Sequence, residues 1–459
     1  MSKFRLPRRR ASILLAAGAV TLAVACAAGW YWIYRPLHPY PLAVTARADD
    51  LQGRILSLDG HMDVPLNYGT EGREADHDGP TQFDLVKAAK GRLGGASIAI
   101  WSWPEFWSGP HWPHRPTAGF MAAMQNELEV RYRIITSIAR DFPRQAGIAR
   151  TPAQYRRLAQ EGKFALVLSM LNAAPLGDDI DQLDLWAGRG ISVFGPGYVG
   201  NNSWVDSARP LPFLGDSTDP LGGLSAIGRK AVARLNDLGV VIDVSQMSSQ
   251  ALRQVTELSR APVIASHTGV QGLMDIRRNL SDDDLQRIKG TGGVVNIVAY
   301  SKYLKPFSRE AITEMNALRA RYGLPDVHSQ NEMGTTTDPV FSIWPESKFG
   351  QYLEAFYGIL RKEPEATLAQ YVDSIDYAVK KIGIDHVGIS SDFNDGGGVI
   401  GFQDASEVRN VTAELITRGY SDEDIAKLWG TNFLRVWEAA QAAARPSAPA
   451  AAQLQQGHP

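Results

Sequence analysis

Four side chains that could bind a metal ion follow apolar runs of the sequence. His61 and Asp63 end the run ILSLDGHMD, His267 ends PVIASH, and Asp392 ends HVGISSD. Imidazole and carboxylate groups are zinc ligands, and a catalytic zinc site commonly has three of them plus an open position for water. Zinc lowers the pKa of that water and so creates the nucleophile of a hydrolase. Taken singly, each residue also has a structural interpretation, as a hydrogen-bonded buried histidine or a helix-capping aspartate.

Eight apolar runs predict the strands that position these residues. Most are continuous rather than alternating, as expected of parallel strands covered on both faces. Helical stretches separate them, such as SAIGRKAVARLNDLG with its N-terminal serine and final glycine. The pattern predicts an α/β protein, a (β/α)8 barrel of the TIM type. The predicted strands are residues 54–61, 96–101, 164–170, 191–196, 240–245, 262–267, 293–300 and 386–392.

In such a barrel the active site lies at the carboxyl ends of the strands. His61, Asp63, His267 and Asp392 should therefore meet at one face. Arg278, in the segment DIRRN after the sixth strand, belongs to the same face. One such residue is weak evidence of function, but their combination predicts a functional pocket.

The barrel is predicted to occupy residues 53–440, with a helical insertion at 301–385 before the last strand. Residues 35–52 are interpreted as a linker. The end of the chain, 441–459, is rich in Ala, Pro and Gln without apolar periodicity, which predicts a disordered tail.

The first residues predict export of the barrel from the cytoplasm. Residues 1–10 are basic, and 11–34 form an apolar run long enough to span a bilayer, with aromatic residues at its end. Because basic residues stay on the cytoplasmic side, the barrel is expected on the periplasmic side of the inner membrane. The alternative is a cleaved signal sequence, which would leave the barrel free in the periplasm.

Charge and cysteine content exclude two other classes of protein. A formal net charge of -2 gives no reason to expect nucleic-acid binding. The single cysteine, Cys26, lies in the apolar run and excludes a disulfide framework.

Three motifs resemble those of the renal (membrane) dipeptidase family, zinc peptidases with a metal-dependent hydrolase barrel. They are LDGHMDVPLNY, then LSRAPVIASHT with RRNLSDDDL, and GIDHVGISSDFNDG, and the resemblance covers about residues 54–440. It implies two zinc ions. His61 and Asp63 would hold one, His267 and a second histidine the other, and a glutamate would bridge both.

The sequence departs from this ligand set at two positions. The bridging glutamate falls on Leu171 in LSMLNAAPLG, and the second histidine falls on Gln246 in DVSQMS. Leucine cannot bind zinc, and a neutral amide is a poor substitute for imidazole. We therefore expect no zinc cofactor and no two-zinc hydrolysis. The alternative is a mononuclear zinc site in which Asp392 joins His61 and Asp63 and has a catalytic role, with His267 as acid or base; a third possibility is other chemistry in the same pocket.

The resemblance also implies groups that recognise a peptide. Arg278 would pair with its carboxylate and Asp392 with its amine, since a guanidinium group matches carboxylate geometry. Tyr198, Gln246 and Leu171 would line the pocket, Tyr198 in place of a substrate-contacting histidine of the family. The aromatic loop 101–114 would form a wall over it or pack on the barrel rim.

Exported bacterial members of the family give the resemblance its biological context. It points to pyoverdine siderophore maturation, which implies a peptide precursor, ferribactin, as the ligand. Periplasmic maturation enzymes such as a tyrosinase would then be the partners, beside the cytoplasmic membrane. Family members are often dimers, so a homodimer is also an expectation.

Overall fold

The structure is a computed structural model that describes residues 40–103, 118–211, 216–333 and 338–445. Within these ranges the chain forms nine strands, all in parallel pairs. Their bounds are β1 Leu58–Met62, β2 Gly95–Ile100, β3 Ala146–Ile148, β4 Phe164–Leu171, β5 Val193–Gly195, β6 Val241–Ile242, β7 Ile264–Thr268, β8 Val294–Val298 and β9 Val387–Ser390.

Eight of these strands form a closed, parallel ring. Strands β1, β2, β4, β5 and β6 are hydrogen-bonded in that order, and β7, β8 and β9 form a second run. Val244 N–H donates to the Ile264 carbonyl at 2.8 Å, which joins β6 to β7. Asp392 N–H donates to the His61 carbonyl at 3.0 Å and joins the end of β9 to β1. The predicted α/β class is confirmed, and the predicted TIM-type (β/α)8 barrel is observed as a parallel, curled sheet.

The helices of the described residues alternate with these strands and cover them on the outside. Their bounds are α1 Leu42–Gln52, α2 Leu85–Gly91, α3 Ala118–Asp141, α4 Pro152–Gln160, α5 Gln182–Arg189, α6 Ala226–Leu238, α7 Ser249–Leu258, α8 Asp282–Gly290, α9 Ser301–Leu304, α10 Arg309–Arg321, α11 Gln330–Met333, α12 Glu346–Leu360, α13 Leu368–Ile382, α14 Val408–Thr417, α15 Asp422–Ala426 and α16 Asn432–Ala442, with a π-helical segment at Lys427–Thr431. The Ser225 side chain caps α6, and left-handed Gly239 ends it, as the sequence predicts.

Most of the predicted strands are shorter than expected, and hydrogen bonds at the ends of two of them show why. Strand β1 begins at Leu58 because residues 54 and 55 still close the end of α1, with hydrogen bonds to the Leu51 carbonyl. Strand β6 ends at Ile242, and beyond it the Asp243 side chain takes the place of one backbone acceptor for the neighbouring strand. The Ser266 N–H donates to Asp243 Oδ1 at 2.9 Å. The sequence analysis also missed β3, a three-residue strand beside the start of β4.

The helices between β8 and β9 belong to two different packing units. α10 and α12 share a separate apolar cluster with Phe341, Phe349 and Tyr352. By contrast, α13 packs on β8 and β9, and its Tyr371 hydroxyl donates to the Ile297 carbonyl at 2.9 Å. α13 is therefore a barrel helix, although the sequence analysis places it in the insertion.

The ends of the barrel differ from the simple tails that the sequence suggests. Residues 42–52 form α1 rather than a linker, and α1 packs on α14 through a 2.6 Å hydrogen bond between Thr412 and Gln52. Helix α16 extends to Ala442. The predicted membrane segment 11–34 lies outside the described residues. In the part of the chain that is described, no helix has the length and apolar character to cross a bilayer.

Candidate active site at the carboxyl ends of the strands

The structure brings the predicted metal-binding residues together at one end of the barrel. His61 Nε2 lies 3.4 Å from Asp63 Oδ2 and 3.8 Å from Asp392 Oδ1. The His61 and His267 rings stack, with centroids 3.9 Å apart. All four side chains are buried. They line a cavity of about 300 Å³ together with Leu171, Tyr198 and Gln246.

Irregular strand ends aim these side chains into the cavity. His61 and His267 both lie where the register of their strand shifts against its neighbour. Such bulges re-aim side chains and are frequent beside active sites. Asp392 has a left-handed backbone, with φ 58°, which turns the chain at the end of β9. Buried Asp59 holds the two ends together by accepting hydrogen bonds from the His61 and Ser391 N–H groups.

His61 belongs to a strongly acidic part of the cavity. Burial would lower the pKa of His61, but its hydrogen bond to Asp63 and the charges of Asp63 and Asp392 raise it to about 9. Trp101 Nε1–H donates to the other oxygen of Asp63. The Arg131 guanidinium covers the Trp101 ring at 4.0 Å. A charged imidazolium is thus stabilised among carboxylates near neutral pH.

A third carboxylate, Asp395, joins this acidic group, and the sequence analysis missed it. Burial and the charges of Asp63 and Asp392 raise the pKa of Asp395 to about 8. Burial likewise raises the pKa of Asp392 to about 7, against the opposing charge of His61. Asp395 lies three residues after Asp392, in SSDFND, so the last-strand motif itself contained the signal.

His267 makes a different set of contacts. Burial and the charges of His61, Arg278 and Arg209 lower the pKa of His267 well below its usual value, so the ring is neutral. Its Nδ1 lies 2.7 Å from Ser266 Oγ, and this hydroxyl donates to Asp243 at 2.5 Å. A hydroxyl that donates to a carboxylate accepts from Nδ1–H, which leaves the lone pair on Nε2.

The lone pair on His267 Nε2 accepts a hydrogen bond from the side-chain amide of Gln246. Its Nε2 lies 3.0 Å from His267 Nε2 and donates to it, because the neutral imidazole nitrogen has no hydrogen there. Its Oε1 accepts a 3.2 Å hydrogen bond from Arg209. The one ring nitrogen of His267 with a lone pair that could bind zinc therefore already accepts a hydrogen bond from a protein donor.

Arg209 is the second residue that the sequence analysis missed. It lies in the loop after β5, where Gly200 N–H donates to the Arg209 carbonyl at 2.8 Å. Its guanidinium group lines the cavity beside Gln246. The signal was weak, since SARP contains a single basic residue in a long loop with no motif around it.

Leu171 and Tyr198 form an apolar wall. They pack in one buried cluster with Ala99 and Trp101. Leu171 stands where the resemblance expects a bridging glutamate, so this wall offers no carboxylate ligand. Of the aromatic loop 101–114, residues 104–114 lie outside the described residues, and Trp101 and Trp103 line the cavity.

Arg278 lies behind the main cavity. It is 3% exposed, and its Nη2 donates to the His267 carbonyl at 2.7 Å. Its guanidinium stands over the Tyr303 ring at 5.1 Å and lines an adjoining cavity of about 140 Å³. Its neighbour Arg277 instead forms a 2.5 Å ion pair with Asp219.

The side chains present do not fit a two-zinc centre. Donor atoms of His61, His267 and Asp392 lie within 4.8 Å of one another, as do those of Asp63, Asp392 and Asp395. Each of these two sets of three residues could supply three ligands to one metal ion. Asp392 belongs to both sets. Two metals would need ligands that Leu171 and Gln246 do not supply. A single metal would draw on His267 beside His61 and Asp392, whereas the sequence analysis assigns Asp63 to that position.

Comparison with known proteins agrees with the barrel and the motifs at its mouth. Residues 45–450 match the family model described as membrane dipeptidase, peptidase family M19. The chain belongs to this family. Its characterised members depend on zinc.

Individual relatives support the same placement. The chain is 24% identical to dipeptidase aclJ of Aspergillus oryzae over 422 residues, which are 88% of this chain and 82% of the fungal protein. A crystal structure described as the probable dipeptidase PvdM from Pseudomonas aeruginosa is 59% identical, with a TM-score of 0.86. The match covers 88% of this chain and all of that one. A Rhodobacter sphaeroides metallo peptidase liganded with a phosphinate mimic of L-Ala-D-Ala shares the fold, at 21% identity over 84% of this chain and 99% of that one, with a TM-score of 0.64.

Proposed function

We propose that this protein binds a peptide in the mouth of the barrel and does not hydrolyse it by a zinc mechanism. The observation that carries the proposal is the chain of contacts from Arg209 to Gln246 to His267. Zinc binding requires a free lone pair on the histidine nitrogen, and here the Gln246 amide donates to that nitrogen at 3.0 Å.

Charge around this chain of contacts opposes a second metal ion as well. The Arg209 guanidinium donates to Gln246 at the place where the resemblance expects a ligand of the second zinc. A permanent cation beside a dication is unfavourable, because like charges repel strongly in a poorly solvated cavity. Leu171 removes the carboxylate that would offset the repulsion and handle the attacking water.

The rest of the cavity retains the features of a peptide-binding site. Asp392 and Asp395 form an acidic end that suits an amine, and Arg278 suits a carboxylate. Tyr198, Tyr300 and Tyr303 line the space between these ends. Aromatic walls with a few oriented polar groups are typical of small-ligand sites.

Localisation and pathway follow from the N-terminal segment and the family resemblance. We place the barrel on the periplasmic side of the inner membrane, anchored by residues 11–34 or released after cleavage. Its ligand would be a siderophore precursor peptide, ferribactin, in pyoverdine maturation, with periplasmic enzymes such as a tyrosinase as partners. The protein would act as a monomer or a homodimer.

A mononuclear metallo-dipeptidase is the alternative function. The three donors of His61, His267 and Asp392 within 4.8 Å favour it. It requires the Gln246 amide to leave His267 when a metal binds.

Metal content distinguishes the two functions. The full-length chain, purified in detergent without an affinity tag, is exposed to excess zinc, desalted and analysed for metal. We expect less than about 0.1 zinc per chain, with the His61→Ala variant as the matched background. One zinc per chain that is lost in His61→Ala, together with dipeptide hydrolysis, would establish the metallo-dipeptidase instead.

A further inference from the structure

The small cavity beside the candidate site is strongly cationic. It holds about 140 Å³ and shares Arg209, Tyr300, Tyr303 and Tyr357 with the main cavity. Arg278 and Lys302 complete its charged lining, and none of the described residues that line it is acidic. Three cations thus surround a space smaller than the main cavity.

None of these three cations forms an ion pair with a described residue. Arg278 donates only to neutral acceptors, the His267 carbonyl at 2.7 Å and Thr268 Oγ1 at 3.4 Å. Arg209 donates to the Gln246 amide at 3.2 Å. The Nε atoms of both arginines are buried without a hydrogen-bond partner. Lys302 forms no ion pair within the described parts of the chain.

The electrostatic cost of this arrangement is visible in the pKa values. Burial lowers the pKa of Lys302, and the charge of Arg209 adds to the effect. Buried charges are normally paired. A ligand that brings negative charge would supply the missing partner.

The number of cations around the cavity indicates how many negatively charged groups its ligand carries. One carboxylate at the end of a peptide needs one guanidinium group, and Arg278 suffices for it. Arg209 and Lys302 exceed that need. The acidic groups Asp392 and Asp395 line the main cavity rather than this one, so they leave the cationic end open to a ligand.

We propose that the small cavity binds a second acidic group of the ligand, a side-chain carboxylate held between Arg209 and Lys302, so that the protein selects peptides with an acidic residue. This inference rests on the proposed peptide-binding function and narrows its ligand class. The tyrosines around the cavity exclude water and so strengthen the charge-assisted hydrogen bonds.

Two dipeptides that differ only in charge test the inference. Titration calorimetry with the full-length chain in detergent compares alanyl-glutamate with alanyl-glutamine, which have nearly the same shape. Glutarate, a dicarboxylate without a peptide bond, serves as a third probe. We expect alanyl-glutamate to bind about tenfold more tightly than alanyl-glutamine, and glutarate to bind measurably.

A matched pair of lysine variants assigns the effect to the cavity. Lys302→Met should abolish the preference for alanyl-glutamate while binding of alanyl-glutamine stays unchanged. Lys305→Met removes a cation three residues away that lines a different cavity, and it should keep the full preference. Arg209→Gln should weaken the preference as well, which covers the case of a poorly folded Lys302→Met.

Each outcome decides one of the two proposals. Equal affinity for both dipeptides would overturn the acidic-group inference and leave peptide binding intact. Binding of glutarate alone would support the acidic site and overturn peptide binding. An absence of binding for all three probes would overturn both.

Discussion

The two halves of the candidate site match to different degrees the zinc ligands that the family resemblance implies. The first half-site, His61, Asp63 and Asp392, keeps the residue types of a zinc site and forms an acidic cluster around a charged imidazole. The second half-site, His267, Gln246 and Arg209, has become a hydrogen-bonded chain that ends in a cation. At the position where the resemblance expects a second histidine, Gln246 hydrogen-bonds the histidine that is present, His267.

This difference explains how a buried histidine can remain stable in an altered metal site. An unpaired buried imidazole nitrogen would cost about 1–3 kcal/mol. Gln246 satisfies His267 with one end of its amide and Arg209 with the other. The first half-site keeps its charges in contact instead, with His61 Nε2 at 3.4 Å from Asp63 and 3.8 Å from Asp392.

The largest expected effect comes from rebuilding the second half-site. The double variant Leu171→Glu with Gln246→His supplies the bridging carboxylate and the missing imidazole. We expect its zinc affinity to exceed that of the unchanged protein by about a thousandfold or more, since zinc affinity depends on ligand number. Competition with a fluorescent zinc chelator measures it.

Arg209 provides the control for that experiment. Adding Arg209→Met to the double variant removes the neighbouring cation and should tighten zinc binding further. Unchanged, weak zinc binding in both the double and the triple variant would show that the first half-site does not hold metal.

The next largest effect, on the affinity for a dipeptide, should come from removal of the Arg278 guanidinium group, which lies behind His267. Arg278→Ala is expected to weaken dipeptide binding by about a hundredfold, because a charge-assisted hydrogen bond to the peptide carboxylate is lost. Titration calorimetry measures the affinity. Arg277→Ala is the matched control, since Arg277 pairs with Asp219, and it should bind the dipeptide normally.

The acidic half-site should make stability depend on pH. The pKa of Asp395 is raised from the model-peptide value of 3.8 to about 8, so the folded protein binds this proton more tightly than the unfolded chain. The contribution of protonated Asp395 to the free energy of unfolding is therefore fully present below pH 3.8 and declines as the pH rises toward 8. Asp395→Asn should increase the free energy of unfolding at pH 8 by on the order of 2 kcal/mol.

Urea denaturation at pH 5 and pH 8 checks this sign. The increase in the free energy of unfolding caused by Asp395→Asn should be small at pH 5 and largest at pH 8. Asp376, a carboxylate of α13 that pairs with Arg418 away from the cavity, gives a contrast, because Asp376→Asn should not stabilise the protein at pH 8. A variant Asp395→Asn that is less stable at pH 8 would contradict the assigned environment.

The smallest expected effect concerns the hydrogen-bonded chain itself. Gln246→Ala leaves His267 Nε2 and the Arg209 guanidinium each without a partner and should lower the free energy of unfolding by about 1 kcal/mol. Gln246→Glu keeps the shape and offers Arg209 a charge, so it should lose less. Thermal unfolding of both variants measures the difference, and equal loss would mean that contact with Arg209 adds nothing.

Much of the barrel could be predicted because its signals are local. Continuous apolar runs, a serine before α6 and a glycine after it depend only on neighbouring residues. Strand β3 was not predicted because its three residues, one of them a glycine, are too few to form a recognisable apolar pattern. The end of β6 was not predicted because it depends on a hydrogen bond between Asp243 and Ser266, which lies in the next strand, more than twenty residues away.

The amino-acid sequence was sufficient to predict the family, the barrel and the side chains available at its mouth. It also showed that Leu171 and Gln246 stand where zinc ligands are expected. The contacts that these two residues make became apparent only in the folded protein. Arg209 and Gln246 are separated by 37 residues, and their contact depends on how the loop after β5 folds over the ends of the strands. Local pattern cannot encode such a contact, because hydrogen-bond geometry between distant segments is set by the packing of the whole barrel.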